Sequence, residues 1–144
     1  MYSSVLLAPF GVTVGCHSSN SLSAGGWHTC AILGGGVKCW GSGARGRLGY
    51  DSEDNIGDDE GEMAGLGTVN LSASAIAITA GGRHTCAILD DGGVKCWGYG
   101  GAGRLGYDST DHKGDAAGEM AGLGTVKTST PAPSPSRPAV TRPA

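Results

Sequence analysis

Two His and four Cys residues recur in the same order in two parts of this chain. His28 lies two residues before Cys30, and Cys39 follows; His84, Cys86 and Cys96 repeat the arrangement. These residue types hold zinc or, for Cys alone, form disulfides, and spacing separates the two chemistries. Zinc knuckles usually set two Cys two to four residues apart. The pairs here are nine and ten positions apart. Period-2 alternation puts each His on the strand face of the Cys that follows it. Cross-strand disulfides Cys30–Cys39 and Cys86–Cys96 are therefore expected, with Cys16 left over; free buried thiols and a metal site are the alternatives.

The Cys pairs belong to longer copies. Ala24 to Gly41 reads AGGWHTCAILGGGVKCWG and Ala80 to Gly98 reads AGGRHTCAILDDGGVKCWG. The offset is 56 residues at the first Cys and 57 at the Trp. Arg47-Leu48-Gly49-Tyr50-Asp51-Ser52 returns as Arg104 to Ser109, and Glu62 to Val69 returns as Glu119 to Val126. A period of this size marks an architecture of units that bury their apolar faces only against one another.

Each copy reads as short strands. His28–Leu33, Val37–Gly41 and Gly67–Leu71 are expected in the first, and Ser72–Ala80, His84–Leu89, Val94–Gly98 and Gly124–Thr128 in the second. Alternation places Ile76 and Ile78 on one face. The central hairpin fixes its own register. A two-residue turn at Gly34-Gly35 sets Leu33 opposite Gly36, Ile32 opposite Val37 and Cys30 opposite Cys39. The second copy is one residue longer at the turn, and a three-residue loop Asp90-Asp91-Gly92 restores Cys86 opposite Cys96. Non-hydrogen-bonded positions bring Cα atoms to about 4.5 Å, within the range of a disulfide.

The composition agrees. There are 28 Gly and one Phe among 144 residues, and 16% of the chain is charged. Many tight turns between short strands account for such a chain. A net charge of −3 and a pI near 5.7 argue against a nucleic-acid partner. No apolar run reaches the roughly 18 residues of a membrane span. Residues 1–20 form an N-terminal segment, read as a strand or two packed on the first unit or donated to another copy. A signal peptide or lipid anchor ending near Gly15-Cys16 is the alternative. Residues 21–71 and 72–127 are the two units.

Residues 128–144 form a Pro/Ser/Thr-rich tail with five of the six Pro. Such runs adopt polyproline II and are frequent glycosylation stalks, a disordered linker being the plainer reading. Thr128, Thr130, Ser134, Ser136 and Thr141 are candidate glycan acceptors. Pro135 joins them because similar Ser-Pro runs of algal wall proteins carry hydroxyproline-linked sugars. Asn70-Leu71-Ser72 is an N-glycosylation sequon.

The Ala-Gly-Gly-x-His-Thr-Cys-Ala-Ile-Leu run, its Gly turn, Val-Lys-Cys-Trp-Gly and the following Arg-Leu-Gly-Tyr resemble the regulator of chromosome condensation repeat. The closest versions are the Cys-bearing ones of secreted bacterial and algal proteins, whose loop Ile56-Gly57-Asp58-Asp59-Glu60 also resembles. The resemblance covers residues 21–127. It implies an all-β fold of propeller blades, each of four antiparallel strands, in a ring that usually has seven. Two such blades make an incomplete propeller. Their flat flanks would be left open, inviting a ring of copies or a head-to-tail filament, unless the sequence is a piece of a longer chain that supplies the other repeats.

Sharper chemistry finds less support. The acidic loop Asp51, Asp54, Asp58, Asp59, Glu60 and Glu62 could ligate calcium, but a solvated loop explains it, and the second copy dilutes the cluster with His112, Lys113, Ala116 and Ala117. Arg47 and Arg104 recur and are expected to contact that loop. No nucleophile elbow or phosphate loop is present, so no catalytic residue, cofactor or resident metal is expected. The photoreceptor members' Gly-Trp-Arg-His-Thr is approached by Gly26-Trp27-His28-Thr29 and Gly82-Arg83-His84-Thr85, each lacking one residue; Trp40 and Trp97 read as packing. The sequence thus points to a non-enzymatic, secreted or cell-surface structural protein, glycosylated and self-associating as a homo-oligomer or filament. A ligand- or glycan-binding propeller fragment of a surface receptor is the alternative.

Overall fold

A computed structural model describes residues 21–127; Cys16, the N-terminal segment and the tail with its candidate glycan acceptors (Thr128, Thr130, Ser134, Pro135, Ser136, Thr141) lie outside them. The described chain is an all-β, incomplete propeller of two antiparallel sheets. Blade 1 holds β1 (Leu22–Ala24), β2 (His28–Leu33) and β3 (Gly36–Gly41). Blade 2 holds β4 (Ala75–Ala80), β5 (His84–Leu89) and β6 (Val94–Gly98). A 3₁₀ turn follows each sheet, at Ala44–Gly46 and Gly101–Gly103. Among the described residues no helix is long and apolar enough to cross a membrane.

The hairpins have the register that their turns dictate. Gly34 and Gly35 take φ of 59° and 83°, the left-handed conformation a two-residue primed turn needs, and Cys30 pairs with Cys39. Blade 2 closes over Asp90-Asp91-Gly92 with Gly92 at φ 85°, and Cys86 pairs with Cys96.

Among the described residues each sheet has three strands rather than the expected four. Gly67–Leu71 and the described part of Gly124–Thr128 run beside β3 and β6 but join each by one backbone bond, Val69 N–H to Val37 C=O and Val126 N–H to Val94 C=O, both 2.7 Å. A tyrosine takes the place of a further ladder bond. Cys39 N–H donates to Tyr50 Oη at 3.1 Å, and that hydroxyl donates to Gly67 C=O at 3.0 Å. Cys96 N–H donates likewise to Tyr107 Oη at 3.0 Å. Burial raises the pKa of both phenols, which keeps their protons available for donation. Tyr50→Phe leaves Cys39 N–H and Gly67 C=O without this partner; a loss of about 1–3 kcal/mol in denaturant unfolding is expected.

Ile76 and Ile78 do not share a face. A bulge between Ala75 and Ala77 adds one residue to β4, so Ile78 is buried and Ile76 exposed.

Candidate interaction surface

Of the residues that sequence singled out, His28, Cys30 and Cys39 meet at the joint where blade 1 packs on blade 2, whereas His84, Cys86 and Cys96 lie on the other face of blade 2. Strand alternation gives each blade two faces. His28, Cys30 and Ile32 of β2, with Val37 and Cys39 opposite them, form the face of blade 1 turned to blade 2. Blade 2 answers with Thr85, Ala87 and Leu89 of β5, and with Trp97, which pairs with Thr85. Ile78 and Met120 complete that buried side.

Polar groups fix the joint. Thr85 Oγ1 donates its one proton to Arg47 C=O at 2.8 Å, so the 2.7 Å contact with His28 must carry a proton on His28 Nε2. His28 is thereby the neutral Nε2–H tautomer, with Nδ1 buried and unpaired. Burial, then the Arg47 charge, then His84 lower its pKa from 6.5 to about 4. The folded form thus binds fewer protons than the unfolded one between those values. Stability is full above pH 6.5 and falls as the pH drops from there to about 4. His28→Gln should flatten that slope in denaturant midpoints measured against pH.

Backbone and carboxylate contacts close the rest. Asp51 accepts from the amides of Gly118 and Met120, both at 2.9 Å. Ala80 N–H donates to Ser23 Oγ at 2.9 Å, and Gly26 N–H to Gly81 C=O at 3.2 Å. Buried Lys95 donates from Nζ to Leu71 C=O at 2.9 Å.

The Cys pairs lie in the hairpins that build this joint, with Cα atoms 4.1 Å apart and sulfurs at 2.10 and 2.09 Å. Each Cys is placed across from its pair, while His28 points to Thr85 instead. Asn70 is exposed between buried Val69 and Leu71.

The two arginines do not reach the acidic loop. Arg47 folds back on its 3₁₀ turn, from Nε to Ala44 C=O at 2.8 Å, and extends Nη1 toward Gly82 C=O at 3.4 Å. Arg104 makes the same return to Gly101 C=O at 2.8 Å and lies over the Tyr99 ring. A short chain from the turn satisfies each guanidinium before a carboxylate can. In the acidic loop Asp58, Asp59 and Glu62 converge, but Glu62 already accepts from Gly57 and Asp59 amides, and the cluster is largely exposed.

Sequence reasoning missed Tyr50, Tyr107 and Asp51 as contact residues. Their signal was recurrence: Asp51 and Asp108 even share a φ of 57°, uncommon for a residue with a side chain. It also missed a groove over the joint, where Trp27, Arg45, Arg47, Arg83 and Tyr99 gather.

Residues 75–104 match the family model described as Regulator of chromosome condensation (RCC1) repeat. Residues 75–104 thus carry an RCC1 repeat. It is 34% identical over 86 residues to the RCC1 domain-containing protein RUG3, mitochondrial, of Arabidopsis thaliana, over 60% of this chain and 18% of that protein. It is 38% identical over 76 residues to the human Regulator of chromosome condensation, over 52% of this chain and 17% of that one. The chain therefore spans under a fifth of either relative. The crystal structure of human WBSCR16 shares the fold, with a TM-score of 0.52 at 18% identity over 65% of this chain and 24% of that one.

Proposed function

We propose that this RCC1-repeat chain is a non-enzymatic protein-interaction module that binds other copies of itself, as the subunit of an extracellular or cell-surface assembly. One observation carries the reading: the same residues are buried at the joint and bare on the outer blade faces. Leu89 is 1% exposed and its counterpart Leu33 60%; Ile78 is 2% exposed and its counterpart Leu22 62%. Apolar side chains bared in register on a flat sheet face mark an interaction surface. Secretion is supported by the cross-strand Cys pairs, since disulfides persist in oxidising compartments. The sequon at Asn70 and the Pro/Ser/Thr composition of residues 128–144 support glycan attachment.

Light scattering on natively produced chain tests the reading. A mass that grows with concentration supports it; a monomer at every concentration ends it. Thiol titration tests the compartment separately, because a cytosolic form would carry five reactive thiols.

The ligand-binding alternative draws on the groove of Trp27, Arg45, Arg47, Arg83 and Tyr99. Cationic and aromatic groups together suit an anionic ligand. Calorimetry with an acidic glycan, expected to lose its heat in Arg83→Ala, tests that reading.

A further inference from the structure

The outer faces of the two blades carry, residue for residue, the counterparts of the two sides of the internal joint. Blade 2 presents on its free side the set with which blade 1 grips blade 2. His84 stands for His28, Cys86 for Cys30, Ile88 for Ile32 and Asp108 for Asp51. Blade 1 presents on its free side the set that is gripped: Thr29 for Thr85, Leu33 for Leu89, Trp40 for Trp97 and Met63 for Met120. Every residue of both free sets is more exposed than its counterpart at the joint, with Met63 at 44% against 1% for Met120.

The backbone carries the same asymmetry. A side chain on Gly46 would collide with Gly114 and Asp115 across the joint; one on Gly103, at the same φ of 70°, would meet nothing within 4 Å among the described residues. A side chain on Gly26 would come within 3.2 Å of Gly82 Cα, whereas one on Gly82 would meet nothing within 4 Å among the described residues. Asp108 keeps the conformation of Asp51 but, among the described residues, its carboxylate is held only by Lys127, at 3.1 Å in an exposed pair.

We propose that a second copy of this chain docks head to tail in the register of the internal joint. Its blade 1 sits on the free face of blade 2. This rests on the self-association reading above and specifies its geometry. His84 of one copy bonds Thr29 of the next, and Asp108 accepts from the amides of Gly61 and Met63. Trp40 of the next copy covers Gly106, as Trp97 covers Gly49. The contact is heterologous, so each added copy offers a fresh face and growth ends only by ring closure.

The test uses the full chain with one exposed residue changed on either face. Leu33→Asp spoils blade 1 and leaves the free face of blade 2 intact; Ile88→Asp does the reverse. Each variant alone is expected to sediment as a monomer with wild-type circular dichroism. An equimolar mixture is expected to form a dimer and stop there, because one good joint remains per pair. Asp108→Ala should weaken wild-type association about tenfold. Three results would overturn the geometry while leaving self-association standing: Ile88→Asp dimerising alone, the mixture staying monomeric while wild type associates, or both variants associating as wild type does, which would point to residues 1–20 or 128–144 as the occupant. A wild-type chain monomeric throughout would end both readings.

Discussion

Trp97→Ala is expected to cost the monomer about 3–5 kcal/mol, while Trp40→Ala costs roughly 1–2 kcal/mol. The two tryptophans occupy the same place in identical Val-Lys-Cys-Trp-Gly runs, so local structure predicts equal effects. Their surroundings differ. Trp97 is fully buried at the joint, with its ring against Gly49, whereas Trp40 is half-buried on the outer face of blade 1. Urea unfolding at concentrations too low for association measures both. Equal losses would mean that the joint contributes no more than each hairpin does alone.

The second large effect is expected from the cross-strand Cys pairs. Replacing Cys30 and Cys39 together with Ser closes no loop in the unfolded chain, and should cost about 3 kcal/mol for a loop of this length. Both residues are fully buried on the face turned to blade 2, so the two serine hydroxyls would add the cost of burying polar groups there. Cys86 is only half-buried, so dithiothreitol is expected to open Cys86–Cys96 first. Non-reducing peptide mapping of the native chain checks the pairing, and urea midpoints with and without reductant check the magnitude. Two sets of free thiols in native material would remove both expectations.

The hairpins were legible because their information is local. Turn length and the Gly positions determine which residues face each other, so Gly34-Gly35 and Asp90-Asp91-Gly92 suffice to pair the cysteines. Repetition made the blade unit and its family readable. What failed to show is set by contacts between distant residues. The Tyr50 hydroxyl intervenes between Cys39 and Gly67, and nothing in the run Arg47 to Ser52 announces where that hydroxyl goes. The bulge in β4 breaks the alternation that period alone assigns to Ile76 and Ile78. Recurrence of Arg47 with the repeat points to a structural contact but not to its partner, which is a carbonyl three residues away in its own turn. The open faces of the blades follow from a pair of repeats, whereas the different partners of Asp51 and Asp108 are set by contacts between distant residues.

Native-state hydrogen exchange of the full chain, dilute and concentrated, tests most directly whether the free faces are two halves of one interface. The amides of Gly118 and Met120, bound by Asp51, should be protected at both concentrations. Those of Gly61 and Met63 should become protected only in the concentrated sample, together with Ala24. Exchange that is identical at both concentrations, or protection that appears elsewhere on the blades, would contradict the account.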